Sequence, residues 1–224
     1  MQKIFLIAAL VCFTFCTGSM NATESKPISY LALGDSYTIG EGVAIKDAWP
    51  YQLADKLTEE GISVLPPKII ARTGWRTDNL AAAIEAENLT QKYDLVSVLI
   101  GVNNQFQGKS IEVYKKDLRG LINTAITQCT KGKSGVFVLS IPDYGSTPFG
   151  KLEREAIGIE IDDWNRACKS VCDEFEVPFY DITVISKKAT TDASLTTKDN
   201  LHPSGKMYAL WVEEIYQRVA ALVK

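Results

Sequence analysis

Histidine is the scarcest chemically active residue in this sequence, with a single copy, His202, among 224 residues. Zinc sites in proteins are built largely from several His and Cys ligands, so we predict no metal site. Basic residues are also too few and too scattered for nucleic-acid binding. The 24 Lys and Arg residues face 27 Asp and Glu residues, which gives a net charge of −3 and a pI near 5.3.

Cysteine is almost as scarce, and only three of the five cysteines follow residue 22. An odd number leaves at least one thiol unpaired. Cys168 and Cys172 lie four residues apart and therefore on one face of a predicted helix. We favour burial of these thiols in the core. A disulfide between Cys129 and one of them stays open as an alternative.

The sequence has one long hydrophobic run, Ile4–Phe15, and it lies at the N-terminus. A lysine precedes the run and small or polar residues follow it, which is typical of a secretory signal peptide. The run is short for a membrane span. We predict that residues 1–22 form a signal peptide and that the mature protein is secreted or periplasmic. Lipid attachment at Cys16 is less favoured, because Phe15 stands where a small residue is usual.

From residue 26 onward, short β-rich runs alternate with longer segments of helical periodicity, with no linker and no internal repeat. We predict five strands, within residues 28–33, 62–71, 94–100, 135–140 and 177–181. We predict helices over residues 49–60, 77–88 and 110–129, within 152–175, and over 205–223. Such alternation indicates βαβ units and a parallel sheet. Residues 26–224 are therefore predicted to form a single three-layer α/β/α domain.

Polar and small residues follow the predicted strands at the points where the strands end. These segments are Gly34-Asp35-Ser36-Tyr37, Arg72-Thr73-Gly74-Trp75, Gly101-Val102-Asn103-Asn104 and, further along, Asp199-Asn200-Leu201-His202. In open parallel sheets, ligands bind at the carboxyl ends of the strands. The sequence therefore predicts one site to which all four segments contribute.

The residue types in these segments fit nucleophilic catalysis on an ester. A serine hydroxyl needs a neighbouring base, and any serine–histidine mechanism in this chain must use His202. Asp199 lies three residues earlier, within reach of the ring, where a carboxylate would fix the tautomer of the imidazole. We predict Ser36, His202 and Asp199 as the catalytic residues.

Ester hydrolysis also needs donors for the oxyanion that develops on the carbonyl oxygen. The backbone N–H of Ser36 can serve if this residue opens a helix or a tight turn. Gly74 has no Cβ and lets its backbone approach a substrate closely, and Asn103 offers a side-chain amide. We predict these three residues as the oxyanion hole. Asp35 is predicted to hold the turn that presents the serine.

In this order, the four segments resemble the blocks of the SGNH (GDSL-type) serine esterase and lipase hydrolase family. The resemblance spans nearly the whole chain after residue 26. It implies a flavodoxin-like fold with a parallel five-stranded sheet, an acyl-enzyme intermediate and no cofactor. The implied substrates are small-molecule acyl esters, lipids or acylated carbohydrates, with no nucleic acid and no stable protein partner. The sequence departs from the family at Tyr37, where leucine is common, and at Asn104, where aspartate is frequent.

Two questions stay open from the sequence. The first is whether the chain is instead a non-catalytic glycan- or ligand-binding module on the same fold, although no glycine-rich phosphate motif follows a strand. The second is which aromatic residues line an acyl or sugar pocket, for which the candidates are Trp75, Tyr144, Phe149 and Trp164.

Overall fold

A computed structural model of the protein describes residues 26–224. The predicted signal peptide over residues 1–22, with Cys16, lies outside the described residues. The described part contains one five-stranded sheet in which every neighbouring pair of strands is parallel. Its strands are β1 (Tyr30–Asp35), β2 (Lys68–Arg72), β3 (Leu95–Leu99), β4 (Val136–Leu139) and β5 (Phe179–Tyr180). Their order, β2-β1-β3-β4-β5, is the flavodoxin-like order that the family resemblance implies.

Helices cover both faces of this sheet, which confirms the predicted three-layer architecture. The α-helices are α1 (Ser36–Ile39), α2 (Trp49–Glu59), α3 (Thr77–Glu87), α4 (Val102–Phe106), α5 (Ile111–Gln128), α6 (Arg154–Phe175), α7 (Thr183–Ser186) and α8 (Gly205–Val223). Helices α2 and α8 pack on each other, whereas α5 packs on α3 and α6. The five predicted helices are confirmed to within two residues at each end. The short helices α1, α4 and α7 were not predicted.

The central strands are mostly apolar because helices cover them on both sides. Every residue of β1 and β3 is buried. The buried Ser97 hydroxyl in β3 pairs with the Tyr30 hydroxyl in β1 at 2.8 Å, which satisfies both polar atoms. Strand β2 begins only after Pro66-Pro67, since proline has no N–H for the ladder. None of the described helices is long and apolar enough to cross a membrane.

The three cysteines of the described chain are buried and free, so the favoured core position is confirmed and the alternative disulfide is not formed. The reason is distance along α5. Cys129 follows the C-terminal end of that helix, whereas Cys168 lies beside Tyr114 near its beginning. Fifteen residues of α-helix separate these two points by about 22 Å.

The order of the strands positions the site. Strand β1 pairs with β2 on one side and β3 on the other, and the segments that leave these strands emerge next to each other. Helix α1 and the end of β3 approach β1 closely here because Gly34 has no side chain. A Cβ at this position would lie 2.5 Å from the carbonyl oxygen of Leu99.

Candidate active site

Ser36 is held at the start of α1, directly after β1. The Asp35 side chain caps this helix, since its Oδ1 accepts the N–H of Tyr37 at 3.0 Å. Gly40 ends the helix in the left-handed conformation, with φ at 76°, and donates its N–H to the Ser36 carbonyl oxygen. The chain therefore turns sharply at the end of the strand with Ser36 at the turn, as predicted for Asp35 and Ser36.

The second carboxylate oxygen of Asp35 is buried and has no hydrogen-bond partner within residues 26–224. Burial raises the pKa of Asp35 to about 7, although hydrogen bonds from the backbone N–H groups of Tyr37 and Asp35 act in the opposite direction. Because the pKa of Asp35 is higher in the folded state than in the unfolded state, the folded protein binds more protons than the unfolded chain between these two pKa values. The free energy of unfolding must then fall as the pH rises from the unfolded pKa, near 3.9, to about 7.

Replacing Asp35 with asparagine is expected to remove this pH dependence. The variant keeps an oxygen that can cap Tyr37 but carries no titratable group. Relative to the wild type, its free energy of unfolding should increase by roughly 2 to 3 kcal/mol between pH 5 and pH 8. Urea unfolding of both proteins at these two pH values measures the difference. Parallel pH profiles for the two proteins would show that Asp35 is ionised in the fold.

Asp199 and His202 are joined directly. The His202 Nδ1 and Asp199 Oδ2 atoms lie 2.6 Å apart, so an ionised Asp199 keeps the proton on Nδ1 and leaves Nε2 as an acceptor. Asp199 Oδ1 also accepts the backbone N–H groups of Leu201 and His202, at 2.9 and 3.0 Å. Asn200 adopts the left-handed conformation, with φ at 64°, which closes this turn. The ring edge of His202 packs on Tyr37 at 5.8 Å between centroids.

The charge of Asp199 is well stabilised. Partial burial favours the neutral acid, but hydrogen bonds from the Thr197 hydroxyl, the His202 ring, and the Leu201 and His202 backbones outweigh it. Together they hold the pKa of Asp199 well below its usual range. A group with a lowered pKa stabilises the fold above its unfolded pKa and loses this contribution only when the pH falls through the folded pKa. Asp199 is therefore ionised across the neutral range.

One cleft of ≈ 150 Å³ brings the predicted residues together. Ser36, Gly74, Asn103 and His202 all line it, and Asp199 contacts His202 from behind. The other residues that line it are Tyr37, Thr73, Val102, Phe106, Tyr144, Phe149 and Leu201. No hydrogen bond joins the Ser36 hydroxyl to the His202 ring in the described chain. In ligand-free sites such bonds are often long and tighten only when substrate binds.

Gly74 and Asn103 enter the cleft from the segments after β2 and β3. Gly74 has φ at 80°, a conformation that favours glycine, and no atom lies within 4 Å of the place its Cβ would occupy. The Asn103 amide donates to the carbonyl oxygen of Trp75 at 3.0 Å. This bond fixes the side chain beside Gly74 and uses one of its two N–H donors.

Asn104 has a role that sequence reasoning missed. Its Oδ1 accepts the Thr77 N–H at 3.0 Å, and its Nδ2 donates to the Thr77 hydroxyl at 2.8 Å. That hydroxyl in turn donates to Asp117 Oδ2 at 2.8 Å. The chain of bonds ties α4, which carries Asn103, to the start of α3 just after Gly74. It also explains asparagine in place of the family's frequent aspartate, because Thr77 has one proton and already gives it to Asp117.

Replacing Asn104 with aspartate is expected to destabilise the fold by about 2 to 3 kcal/mol at pH 7, since two carboxylates would then compete for one buried hydroxyl proton. Adding Asp117→Asn restores a donor and removes one charge. The double variant should therefore regain at least about 1 kcal/mol relative to the sum of the single effects. Urea unfolding of the four proteins in this cycle measures the coupling. Strictly additive effects would contradict the network.

The structure separates the four aromatic candidates. Tyr144 and Phe149 line the cleft. Trp75 does not line it, and Trp164 is buried against the Tyr114 ring, with their centroids 4.8 Å apart. Phe106, which also lines the cleft, was not predicted, because it is a single aromatic residue at the end of a short helix with no periodic pattern around it.

The fold and the cleft define a class of protein: a doubly wound α/β domain with a serine and a histidine–carboxylate pair at the carboxyl edge of its sheet. A family model described as the GDSL-like lipase/acylhydrolase family matches residues 32–210. The chain therefore belongs to this family of ester-hydrolysing enzymes, as the four sequence blocks indicated.

Solved structures show the same fold. An acetylxylan esterase, Axe2, from Geobacillus stearothermophilus is 18% identical, with a TM-score of 0.66 over 88% of this chain and 95% of that chain. A lipase/acylhydrolase from Enterococcus faecalis is 18% identical, with a TM-score of 0.67 over 88% and 97%. A lipolytic protein of the G-D-S-L family from Veillonella parvula is 16% identical, with a TM-score of 0.66 over 84% and 96%. No curated protein matches the chain in sequence.

Proposed function

We propose that the protein hydrolyses carboxylic esters through an acyl-enzyme intermediate on Ser36. The observation that carries this proposal is the cleft of ≈ 150 Å³, which both Ser36 and His202 line. The Nδ1 atom of His202 is bonded to the ionised carboxylate of Asp199. A histidine held in this way has Nε2 free to take the serine proton. Small acyl esters, lipid esters and acylated carbohydrates all offer the required acyl carbon.

In the first half of the reaction, Ser36 Oγ forms a bond to the acyl carbon and its proton passes to His202 Nε2. The negative charge moves to the carbonyl oxygen, where the Ser36 N–H, the Gly74 N–H and the Asn103 amide stabilise it. The bond to the alcohol oxygen then breaks, and His202 gives its proton to that oxygen. Asp199 stays ionised throughout and stabilises the imidazolium.

In the second half, water takes the place of the alcohol. His202 accepts a proton from the water as its oxygen bonds to the acyl carbon, and the same donors hold the second oxyanion. The bond between the acyl carbon and Ser36 Oγ then breaks, and His202 returns a proton to the serine. The carboxylic acid leaves and the enzyme regains its starting state.

Labelling with a fluorophosphonate tests whether Ser36 is activated. Intact-mass analysis of the folded protein should show one adduct, and peptide mapping should place it on Ser36. Urea-unfolded protein should not react, since an ordinary serine hydroxyl is a weak nucleophile. Folded protein that acquires no adduct would contradict the proposal and bring forward a non-catalytic ligand-binding role.

We also propose that residues 1–22 direct export, on the basis of their charged start, apolar run and small-residue exit. Expression of the full sequence in a bacterial host, followed by fractionation and intact-mass analysis, tests this. The expected product is an extracytoplasmic chain cleaved between Gly18 and Ala22. A diacylglyceryl mass on Cys16 would support the lipoprotein alternative, and full-length protein in the cytoplasm would refute export.

A further inference from the structure

Three aromatic rings form one wall of the cleft. Phe106 at the end of α4, Tyr144 after β4 and Phe149 before α6 all line the same space as Ser36. The Phe106 ring centroid lies 6.0 Å from that of Tyr144 and 6.4 Å from that of Phe149, and Tyr144 and Phe149 are 6.4 Å apart. These three residues, called the aromatic wall below, therefore pack on one another as well as facing the cleft.

Two of the three residues of the aromatic wall are apolar side chains that are half exposed to water. Phe106 is 59% exposed and Phe149 is 52% exposed, whereas Tyr144 behind them is buried. Isolated exposed apolar side chains are ordinary on protein surfaces. Two half-exposed phenylalanines in mutual contact, next to a candidate nucleophile, form a contiguous apolar surface, and such surfaces mark binding sites.

The wall is also held rigidly by the backbone beneath it. The Phe149 N–H donates to the Asn200 carbonyl oxygen at 3.0 Å, which joins its loop to the turn that carries His202. Asp143 accepts the Gly145 N–H at 2.8 Å and the Ser146 hydroxyl at 3.0 Å at the start of the same loop. A ligand that binds here therefore meets a surface that needs little ordering, so less affinity is lost to conformational entropy.

Four polar side chains of the cleft are committed elsewhere. Ser36, Asn103 and His202 have roles in the proposed chemistry, and the Thr73 hydroxyl already donates to Glu41. Phe106 and Phe149 carry no polar atom that could bind a sugar hydroxyl. A saturated hydrocarbon chain, which needs contact area and no hydrogen bonds, is the ligand that this surface fits.

We propose that the aromatic wall binds the acyl chain of the substrate, and that the enzyme prefers esters of linear acids of about six carbons to acetate esters. This inference rests on the proposed ester hydrolysis at Ser36. The length follows from the size of the cleft, because a cavity of about 150 Å³ lined by apolar side chains accommodates a benzene ring, with six carbons. Longer chains extend past the wall into water and gain little more.

A series of p-nitrophenyl esters with one leaving group and increasing acyl length tests the preference. A fully buried methylene contributes about fourfold to binding, and a one-sided wall about twofold. Hexanoate has four more methylenes than acetate, so we expect kcat/KM to rise about sixteenfold from acetate to hexanoate, with no further rise at decanoate. A flat profile, or one that peaks at acetate, would overturn the inference, and so would faster hydrolysis of an acetylated xyloside than of the hexanoate.

Substitutions in the aromatic wall test whether these residues cause the preference for hexanoate over acetate. Phe106→Ser and Phe149→Ser should each lower the hexanoate-to-acetate ratio to about fourfold, and the double variant should bring it close to one. Leu152→Ser is the matched control, since Leu152 is 91% exposed, lies three residues after Phe149 and does not line the cleft. It should keep the wild-type ratio. Unchanged ratios in the double variant, with its fold verified by urea unfolding, would overturn the role of the wall.

The failure of this inference is distinguishable from failure of the proposed function. If the fluorophosphonate labels Ser36 and the acetate ester is hydrolysed, the proposed function stands whatever the chain-length profile. If no ester is hydrolysed and no adduct forms, the proposed function fails, and the acyl-chain site fails with it.

Discussion

Alanine in place of Ser36 is expected to lower kcat for ester hydrolysis by about 10⁶, the scale of loss when the serine of a Ser-His-Asp unit is removed. The substitution deletes the only atom proposed to bond to the acyl carbon, so no acyl-enzyme can form. The backbone N–H of residue 36 remains and can still stabilise an oxyanion, which leaves a small residual rate. Steady-state hydrolysis of p-nitrophenyl hexanoate measures the effect.

The fold should be nearly unaffected by this change. Within the described residues the Ser36 hydroxyl makes no hydrogen bond, and the Asp35 cap and the Gly40 turn involve backbone groups that alanine keeps. We therefore expect a free energy of unfolding within about 1 kcal/mol of the wild type. A folded Ser36→Ala protein that keeps more than a tenth of the wild-type kcat would show that another group is the nucleophile.

Sequence reasoning could predict most of the fold because long elements carry a repeating pattern. Strand β3 is apolar except for Ser97, and α5 and α8 repeat apolar residues at helical spacing over 18 and 19 residues. Helices α1 and α4 were missed because four or five residues are too short to show a period. Helix α1 follows β1 directly and depends on the Asp35 cap, whereas two residues separate α4 from β3 and α4 has no side-chain cap.

The contacts of the candidate site that join residues close together in the sequence could be predicted. Asp199 and His202 are three residues apart, so their contact follows from one turn of chain, and Asp35 caps the turn at Ser36 within two residues. The bond from Asn104 to Thr77 spans 27 positions, and the bond from Thr77 to Asp117 spans 40. Such contacts depend on how α3, α4 and α5 pack, which no local pattern encodes.

The aromatic wall illustrates the same limit. Its three members come from the ends of different elements, and Phe106 and Phe149 are 43 positions apart in the chain. In the sequence each is one aromatic residue among many that pack in the core. Only the adjacency of the segments after β3 and β4 turns them into one surface.

Asparagine in place of Asp199 is expected to lower kcat by about 10⁴, because it changes the hydrogen-bonding character of the group beside His202 and disfavours the productive tautomer. The amide oxygen can still accept the N–H groups of Leu201 and His202, as Asp199 Oδ1 does now, so the turn should be retained. An amide N–H that faces Nδ1 would force the ring proton onto Nε2, which is then unable to accept the serine proton. Steady-state kinetics between pH 6 and 9 measure the loss, which should persist across this range because Asp199 is ionised throughout it in the wild type.

Asp192→Asn provides a matched control on the same stretch of chain. Asp192 also accepts a backbone N–H two residues ahead, from Ser194 at 3.0 Å, and its side chain is 41% exposed against 43% for Asp199. It pairs with Lys206 at 2.8 Å and does not line the cleft, so its amide variant should keep the wild-type kcat. If both variants lose activity equally, the effect arises from the stability of the loop. If Asp199→Asn keeps more than a tenth of the wild-type kcat, Asp199 does not set the tautomer of His202, and the histidine would have to act as a base without this carboxylate.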